Sequence, residues 1–282
     1  MDRRNFLLGS GLALTALTAC SDDAEAAAAP PDPAAPEKPG PPPLPVPKLG
    51  PQPPDGRQVA YAQQGEDMVI MQALGMLGIM APRYLDIGAF HPTIGSNTYL
   101  AYVSGGSGVL VEPNPPMAKM LAEVRTRDVV VAAGVGTGDA TEADYYLMRD
   151  RPQLNTFSKA QVDRYVAEGG ALEKAIKMKL VSIDALLQEH FAEGIDLLSV
   201  DVEGLDLEIL RSMSPTGPRP AVICVETSVY GTTGLVPEIF SLLAERGYAA
   251  RGGSMINTVF VDVERMREKA PEGATVALSL GG

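Results

Sequence analysis

Short apolar runs ending at an acid recur between residues 83 and 226, with helix-patterned stretches between them, and this alternation restricts the fold most. The runs Arg83–Ile87, Gly108–Val111, Asp196–Val200 and Ala221–Val225 have the length and continuity of strands buried on both faces. Helices are expected through Tyr99–Val103, Pro116–Arg125, Leu205–Met213 and Pro237–Arg246. A first helix from Gln64 to Met80 would bury Met68, Met71, Leu74, Met76 and Leu77, with Glu66 and Asp67 in its first turn. Further strands are expected at Val129–Ala132, Tyr145–Met148 and Lys179–Ile183, and a terminal pair at Tyr248–Arg251 and Thr258–Val261. Such alternation builds an α/β sandwich, a mostly parallel sheet with a C-terminal antiparallel strand pair.

Ligands of open parallel sheets bind beyond the carboxyl ends of the strands. Four ends therefore carry the chemistry: Asp86-Ile87-Gly88, Val111-Glu112, Val200-Asp201 and Val225-Glu226. Gly88 and Ala89 leave room for a ligand close to the backbone, and Asp86 can accept from a charged amine. Glu112 ends the next strand, near the roughly 20-residue separation at which dinucleotide folds place a carboxylate on ribose hydroxyls. One acid for an amine and one for a ribose diol suit S-adenosylmethionine. The Gly-x-Gly-x-x-Gly pattern is absent and Phe90-His91-Pro92 fills its place, which disfavours NAD and FAD.

Asp201 and Glu203 stand two residues apart, so in an extended chain both face one side. They are the candidate catalytic carboxylates, able to take a proton from an acceptor hydroxyl. Two alternatives stand beside that role. Asp201, Glu203 and Glu226 could share a hard cation, or Glu203 could cap the following helix. His91 is read as a packed ring rather than a base, and His190 as a helix-end residue. Two cysteines and two histidines give no zinc pattern, and Cys224 lies in an apolar run as a small hydrophobe. No metal is expected.

The blocks Tyr61-Ala62-Gln63-Gln64-Gly65-Glu66-Asp67, Tyr84-Leu85-Asp86-Ile87-Gly88-Ala89, Ser96-Asn97-Thr98, Val111-Glu112-Pro113-Asn114-Pro115 and Asp196–Gly204 follow one another in the order seen in FkbM-family methyltransferases, which this chain resembles from about Tyr61 to Val261. The resemblance implies a Rossmann-like class I methyltransferase fold, S-adenosylmethionine as cofactor and O-methylation of small or carbohydrate-linked hydroxyls. It places Asp86, Gly88 and Ala89 in the cofactor loop, Glu112 on the ribose, and Asn97 and Asn114 beside the same pocket. It puts Gln63, Glu66 and Asp67 at the pocket rim. Phe90 departs from the small polar residue usual there.

The first residues form an address. Arg3-Arg4 precede an apolar stretch, Phe6–Ala19, of about 14 residues, too short to span a bilayer. Residues 1–19 are read as an export signal of twin-arginine type, ending at a lipobox, Leu17-Thr18-Ala19-Cys20. Cys20 would carry lipid and hold the chain to a membrane, facing the periplasm, or the cytoplasmic face if export fails. Residues 20–55 are then a Pro/Ala-rich tether and residues 56–282 the folded domain. A net charge of −12 without a basic run argues against nucleic acid. The expected partner is a small-molecule or glycan acceptor; the oligomeric state is left open. The rival to an O-methyltransferase is an exported binding protein that reuses the fold without catalysis.

Overall fold

The computed structural model describes residues 58–229 and 232–271. The expected signal, Cys20 and the tether lie outside them. Ten strands are described: β1 (Arg83–Ile87), β2 (Ser107–Val111), β3 (Val129–Val131), β4 (Gly134–Gly136), β5 (Glu142–Met148), β6 (Leu172–Ser182), β7 (Leu197–Val200), β8 (Val222–Glu226), β9 (Tyr248–Gly253) and β10 (Asn257–Asp262). Seven of them form one sheet in the order β3-β2-β1-β7-β8-β10-β9. β10 runs antiparallel between β8 and β9, and the other pairs are parallel. This is the expected mostly parallel architecture with its terminal antiparallel pair.

Eight helices accompany them: α1 (Glu66–Met76), α2 (Tyr99–Val103), α3 (Pro115–Val124), α4 (Lys159–Ala167), α5 (Ile183–Phe191), α6 (Asp206–Ser212), α7 (Pro237–Glu245) and α8 (Val263–Lys269). Several begin where a side chain satisfies an orphan N–H. Ser158 accepts from Gln161, Ser182 from Ala185, and Asp262 from Glu264 and Arg265.

Alternate residues of each central strand bury on opposite faces. Leu85, Ile87, Leu198, Val200, Ile223 and Val225 pack with α5, α6 and α7, whereas Tyr84, Leu110, Leu197, Val222, Cys224 and Val259 pack with α1 and α2. Cys224 is a free, buried thiol, as expected.

The expected first helix is too long. It starts after Gly65, which has φ 86°, and stops at Met76 before Gly78 at φ 78°. Ile70, Ala73, Leu74 and Leu77 make its buried stripe, and Met76 points to solvent with 66% exposure. The irregular middle of the chain folds into a second sheet, β4-β6-β5, with α4 beside it. β6 is an eleven-residue strand in which Ile176, Met178 and Leu180 alternate with lysines.

One buried cation joins the first half of the domain. Arg125, fully buried, bonds Asp128 at 2.8 Å through Nε, the Tyr84 hydroxyl at 2.9 Å and the Pro92 carbonyl at 3.2 Å. Its guanidinium also lies over the Tyr84, Tyr99 and Tyr102 rings. Asp128 in turn accepts from the Tyr84 hydroxyl and the Gly108 N–H. Removing one partner of a buried pair leaves the other charge uncompensated. Arg125→Met is therefore expected to lower unfolding free energy by about 3 kcal/mol or more, read from urea denaturation; a loss under about 1 kcal/mol would show that the pair is dispensable.

Candidate active site

The strand-end acids share one face because they continue the alternation of the core. Asp86 and Ser199 are register partners, and Ser199 pairs in turn with Cys224. Glu112, Asp201 and Glu226 each lie two residues beyond a residue of the α1/α2 face, namely Leu110, Ser199 and Cys224. Four carboxylates thus meet along one carboxyl edge.

The loop after β1 is set by backbone contacts. Gly88 has φ 87°, and a Cβ there would stand 1.8 Å from the Asp201 carbonyl oxygen. The residue that needs Gly88 is therefore the neighbouring strand rather than a ligand alone. Gly88 and Ala89 both donate to the Val111 carbonyl, so these two N–H groups are engaged, and the Ala89 side chain is buried with the α1/α2 core. Phe90 turns out at φ 47°, an unusual angle for a non-glycine, and its N–H bonds Glu112 Oε2 at 2.8 Å. Asn114 N–H bonds Glu112 Oε1 at 2.7 Å, so Asn114 acts here through its backbone. Each Glu112 oxygen keeps a further lone pair for hydroxyls. Burial first, and then Asp86, raise Glu112 to about 7, against the opposing backbone bonds.

Asp86 accepts from the Thr98 hydroxyl at 2.6 Å, and Thr98 accepts from Arg125 at 3.3 Å. Burial raises the Asp86 pKa against these donors. Asn97 donates to the Ser199 hydroxyl at 3.3 Å, and its Oδ1 is buried with no partner among the described residues. Acids and an unfilled amide oxygen form an acceptor-rich edge. It fits a cofactor that offers a ribose diol, an ammonium and a sulfonium: Glu112 would hold the diol and Asp86 and Asn97 the amine.

Asp201-Val202-Glu203-Gly204 connects β7 to α6. Glu203 has φ 56°. Its Oε2 accepts from the Tyr165 hydroxyl at 2.6 Å, and its carbonyl from Thr156 at 3.0 Å. Both partners come from the segment around α4 and the second sheet, which walls this end of the site. Helix capping falls instead to Asp206, which accepts from Val202 and Gly204. Burial, with Asp206 adding repulsion, raises Glu203 to about 7, opposed by Tyr165. Burial and then Glu203 and Asp206 raise Glu226 to about 8. Asp201 is raised well above its usual range by burial and then by Glu226.

The rim assignment needs correction. Glu66 and Asp67 are buried rather than on the rim: Asp67 accepts from Tyr61 N–H at 2.6 Å, and Glu66 from Gln64 N–H and Asn257. Only Gln63 is exposed. Among the described residues no three Asp, Glu, His or Cys side chains converge as metal ligands, so the shared-cation alternative lacks its ligand set. His91 is buried, with Nδ1 accepting from Thr93 and Ile94, which puts the proton on Nε2 and removes it as a base. His190 ends α5, where its carbonyl accepts from Arg83. Thr98, Ser199 and Tyr165 were missed. Thr98 lay within the Ser-Asn-Thr block and could have been read there; Tyr165 carried no local signal.

A mostly parallel sheet with acids at its carboxyl edge defines a Rossmann-like methyltransferase fold. Residues 86–250 match the model of the Methyltransferase FkbM domain, over half of the chain, and the chain belongs to that family of S-adenosylmethionine-dependent enzymes. No curated protein is significantly similar in sequence. Among solved structures, the chain is similar to the methyltransferase FkbM from Methylobacillus flagellatus KT, with 14% identity, 64% of this chain and 43% of that one covered, and a TM-score of 0.39. It thus spans less than half of that protein. An O-methyltransferase from Bacillus cereus, solved in complex with SAH, shares 14% identity over 69% of this chain and 80% of its own, with a TM-score of 0.32. Cofactor-bound Rv0187 from MTB shares 15% identity over 73% and 83%, with a TM-score of 0.35. The family assignment rests on the domain match.

The raised carboxyls tie stability to pH. Glu112, Glu203 and Glu226 have folded pKa values of about 7, 7 and 8 against an ordinary 4.5, so the folded state holds more protons than the unfolded one between those limits. Their contribution is full below pH 4.5 and is lost as pH rises towards 8. The melting temperature of the ligand-free protein is expected to fall between pH 6 and 8.5, less steeply in Glu226→Gln; equal slopes in the two proteins would contradict the assignment.

Proposed function

We propose that the protein is an S-adenosylmethionine-dependent O-methyltransferase whose acceptor is a hydroxyl of a glycan or another envelope component. The observation that carries this reading is Glu203, a carboxyl with pKa about 7 fixed by Tyr165 beside the cofactor strands. When bound, the cofactor supplies an electrophilic methyl group. Asp86 and Asn97 orient its amine, and Glu112 its ribose, in one face of the sheet. Oε2 of Glu203 is engaged by Tyr165, which leaves Oε1 to take the acceptor's hydroxyl proton. A base poised near neutrality accepts that proton without being permanently neutralised. Asp201, closer to the sheet, is held towards its neutral form by burial and by Glu226, and would gain charge only when a cation stands beside it.

Calorimetric titration with S-adenosylhomocysteine tests the cofactor half. Micromolar binding is expected, weakened at least about tenfold in Asp86→Asn/Glu112→Gln, given the worth of charge-assisted hydrogen bonds. Glu203→Gln should bind as the parent does. Failure of the parent to bind would sink the proposal.

The same reading places the protein in the cell envelope, held through lipid on Cys20 and facing the periplasm. The Arg3-Arg4 start and the Leu17–Cys20 lipobox support it. Cys20→Ser is expected to move the protein from the membrane to the soluble fraction on fractionation of cells; retention in the membrane would contradict lipid attachment.

A further inference from the structure

The edge formed by β7, β8 and β10 gathers more carboxyl groups than transfer to a neutral hydroxyl requires. Asp201, Glu203, Asp206 and Glu226 act on one another electrostatically, and among the described residues no lysine or arginine forms an ion pair with any of them. Asp206 is accounted for by the N–H groups of Val202 and Gly204, and Glu203 by Tyr165. Among the described residues Glu226 has only the Ser228 hydroxyl, at 3.1 Å. Asp201 has no side-chain partner of its own among the described hydrogen bonds.

A second observation comes from the neighbouring strand. Asn257 of β10 stands directly opposite Glu226 of β8, so the two side chains share a face with their Cβ atoms about 5 Å apart. Asn257 is 1% exposed. Its Nδ2 donates to Glu66 Oε1 at 2.8 Å, and because a carboxylate only accepts, this bond fixes which branch of the amide is nitrogen. Its Oδ1 is buried, on the face shared with Glu226, with no hydrogen-bond partner among the described residues. An unfilled acceptor at that depth is costly and calls for a donor. Two carboxyl groups and an amide oxygen therefore line one spot; burial and mutual repulsion favour the protonated form of both acids while it is empty, and a cation there would displace those protons and leave three acceptors.

We infer that this spot binds a protonated primary amine carried by the methyl acceptor, with Asp201, Glu226 and Asn257 Oδ1 as its ligands. An ammonium brings one positive charge and three donors to three acceptors. A neutral hydroxyl would satisfy at most one or two of these oxygens and leave the charge uncompensated. Among the described residues no three Asp, Glu, His or Cys side chains converge as metal ligands here, so a metal ion would have only two carboxyls and one amide oxygen. The amine of the cofactor is not the occupant, because β8 and β10 lie two and three strands from β1, about 10 and 14 Å along the sheet at the usual strand spacing. The inference rests on the methyl-transfer reading and narrows its acceptor to an amino sugar or another amino alcohol. Removal of the amine's charge, as in N-acetylation, abolishes the match.

The test uses a linear tetramer of glucosamine and its fully N-acetylated counterpart, titrated calorimetrically into the full-length protein with and without saturating S-adenosylhomocysteine. The free-amine tetramer is expected to bind at least about tenfold more tightly than the acetylated one, the least that a charge-assisted bond is worth. Glu226→Gln should erase that ratio while its affinity for S-adenosylhomocysteine stays that of the parent. Equal binding of the two tetramers, or a ratio that survives in Glu226→Gln, overturns the inference. If S-adenosylhomocysteine binds and the tetramers do not differ, methyl transfer stands and the amine site falls. If S-adenosylhomocysteine fails to bind, the functional reading falls, and the ratio measured without it still decides the amine site.

Discussion

The cofactor half of this domain is organised around a buried ion pair, Arg125 with Asp128. Its contacts reach β1 through Tyr84, the following loop through the Pro92 carbonyl, α2 through Thr98 and the tyrosine rings, and the start of β2 through Gly108. Burying two charges is expensive, and the pair is tolerated because nearly every donor and acceptor it brings is used. The consequence for function runs through Thr98, which accepts a bond from Arg125 and donates its hydroxyl to Asp86. A carboxylate at the end of a strand is otherwise free to rotate; here its orientation is fixed from below by a chain of hydrogen bonds that begins at a guanidinium outside the site.

The strand ends add a second constraint of opposite character. Alternation along β1, β2, β7 and β8 sends Asp86, Glu112, Asp201 and Glu226 to one face, where they repel one another and resist ionisation. Such an arrangement is unfavourable in the empty protein. It is consistent with a site that positive charge on its ligands completes. Stability given up at the edge is recovered in the two apolar layers, which are continuous on both sides of the central strands.

Much of this was legible in the sequence. The central strands read as uninterrupted apolar runs because both faces are buried, and the acids announced their ends. Helices were readable where the proline starts of α3 and α7 gave local signals. What failed did so for identifiable reasons. Met76 has helical spacing with the core residues yet falls on the last, outward turn. Only the end of β6 was read, as the expected strand Lys179–Ile183, because its first half is too polar to stand out, and the second sheet it builds could be found only by pairing with β5 across an intervening helix. Glu66 and Asp67 looked like ligand-facing acids, but both are spent on backbone N–H groups and Asn257. The role of Tyr165 depends on a contact 38 residues away in the chain, beyond any local pattern.

The approach of Gly88 to the Asp201 carbonyl joins two regions that sequence reading treats as separate. With no side chain between them, the loop after β1 and the turn after β7 touch backbone to backbone, and a side chain at Gly88 would force both to move. Diversity of acceptor must therefore come from elsewhere. The second sheet and α4 meet this junction through exchangeable side chains, Tyr165, Thr156 and Gln161, on Glu203 and Gly204. That segment is the replaceable part of the enzyme, a fitting that can be remade over a fixed chassis.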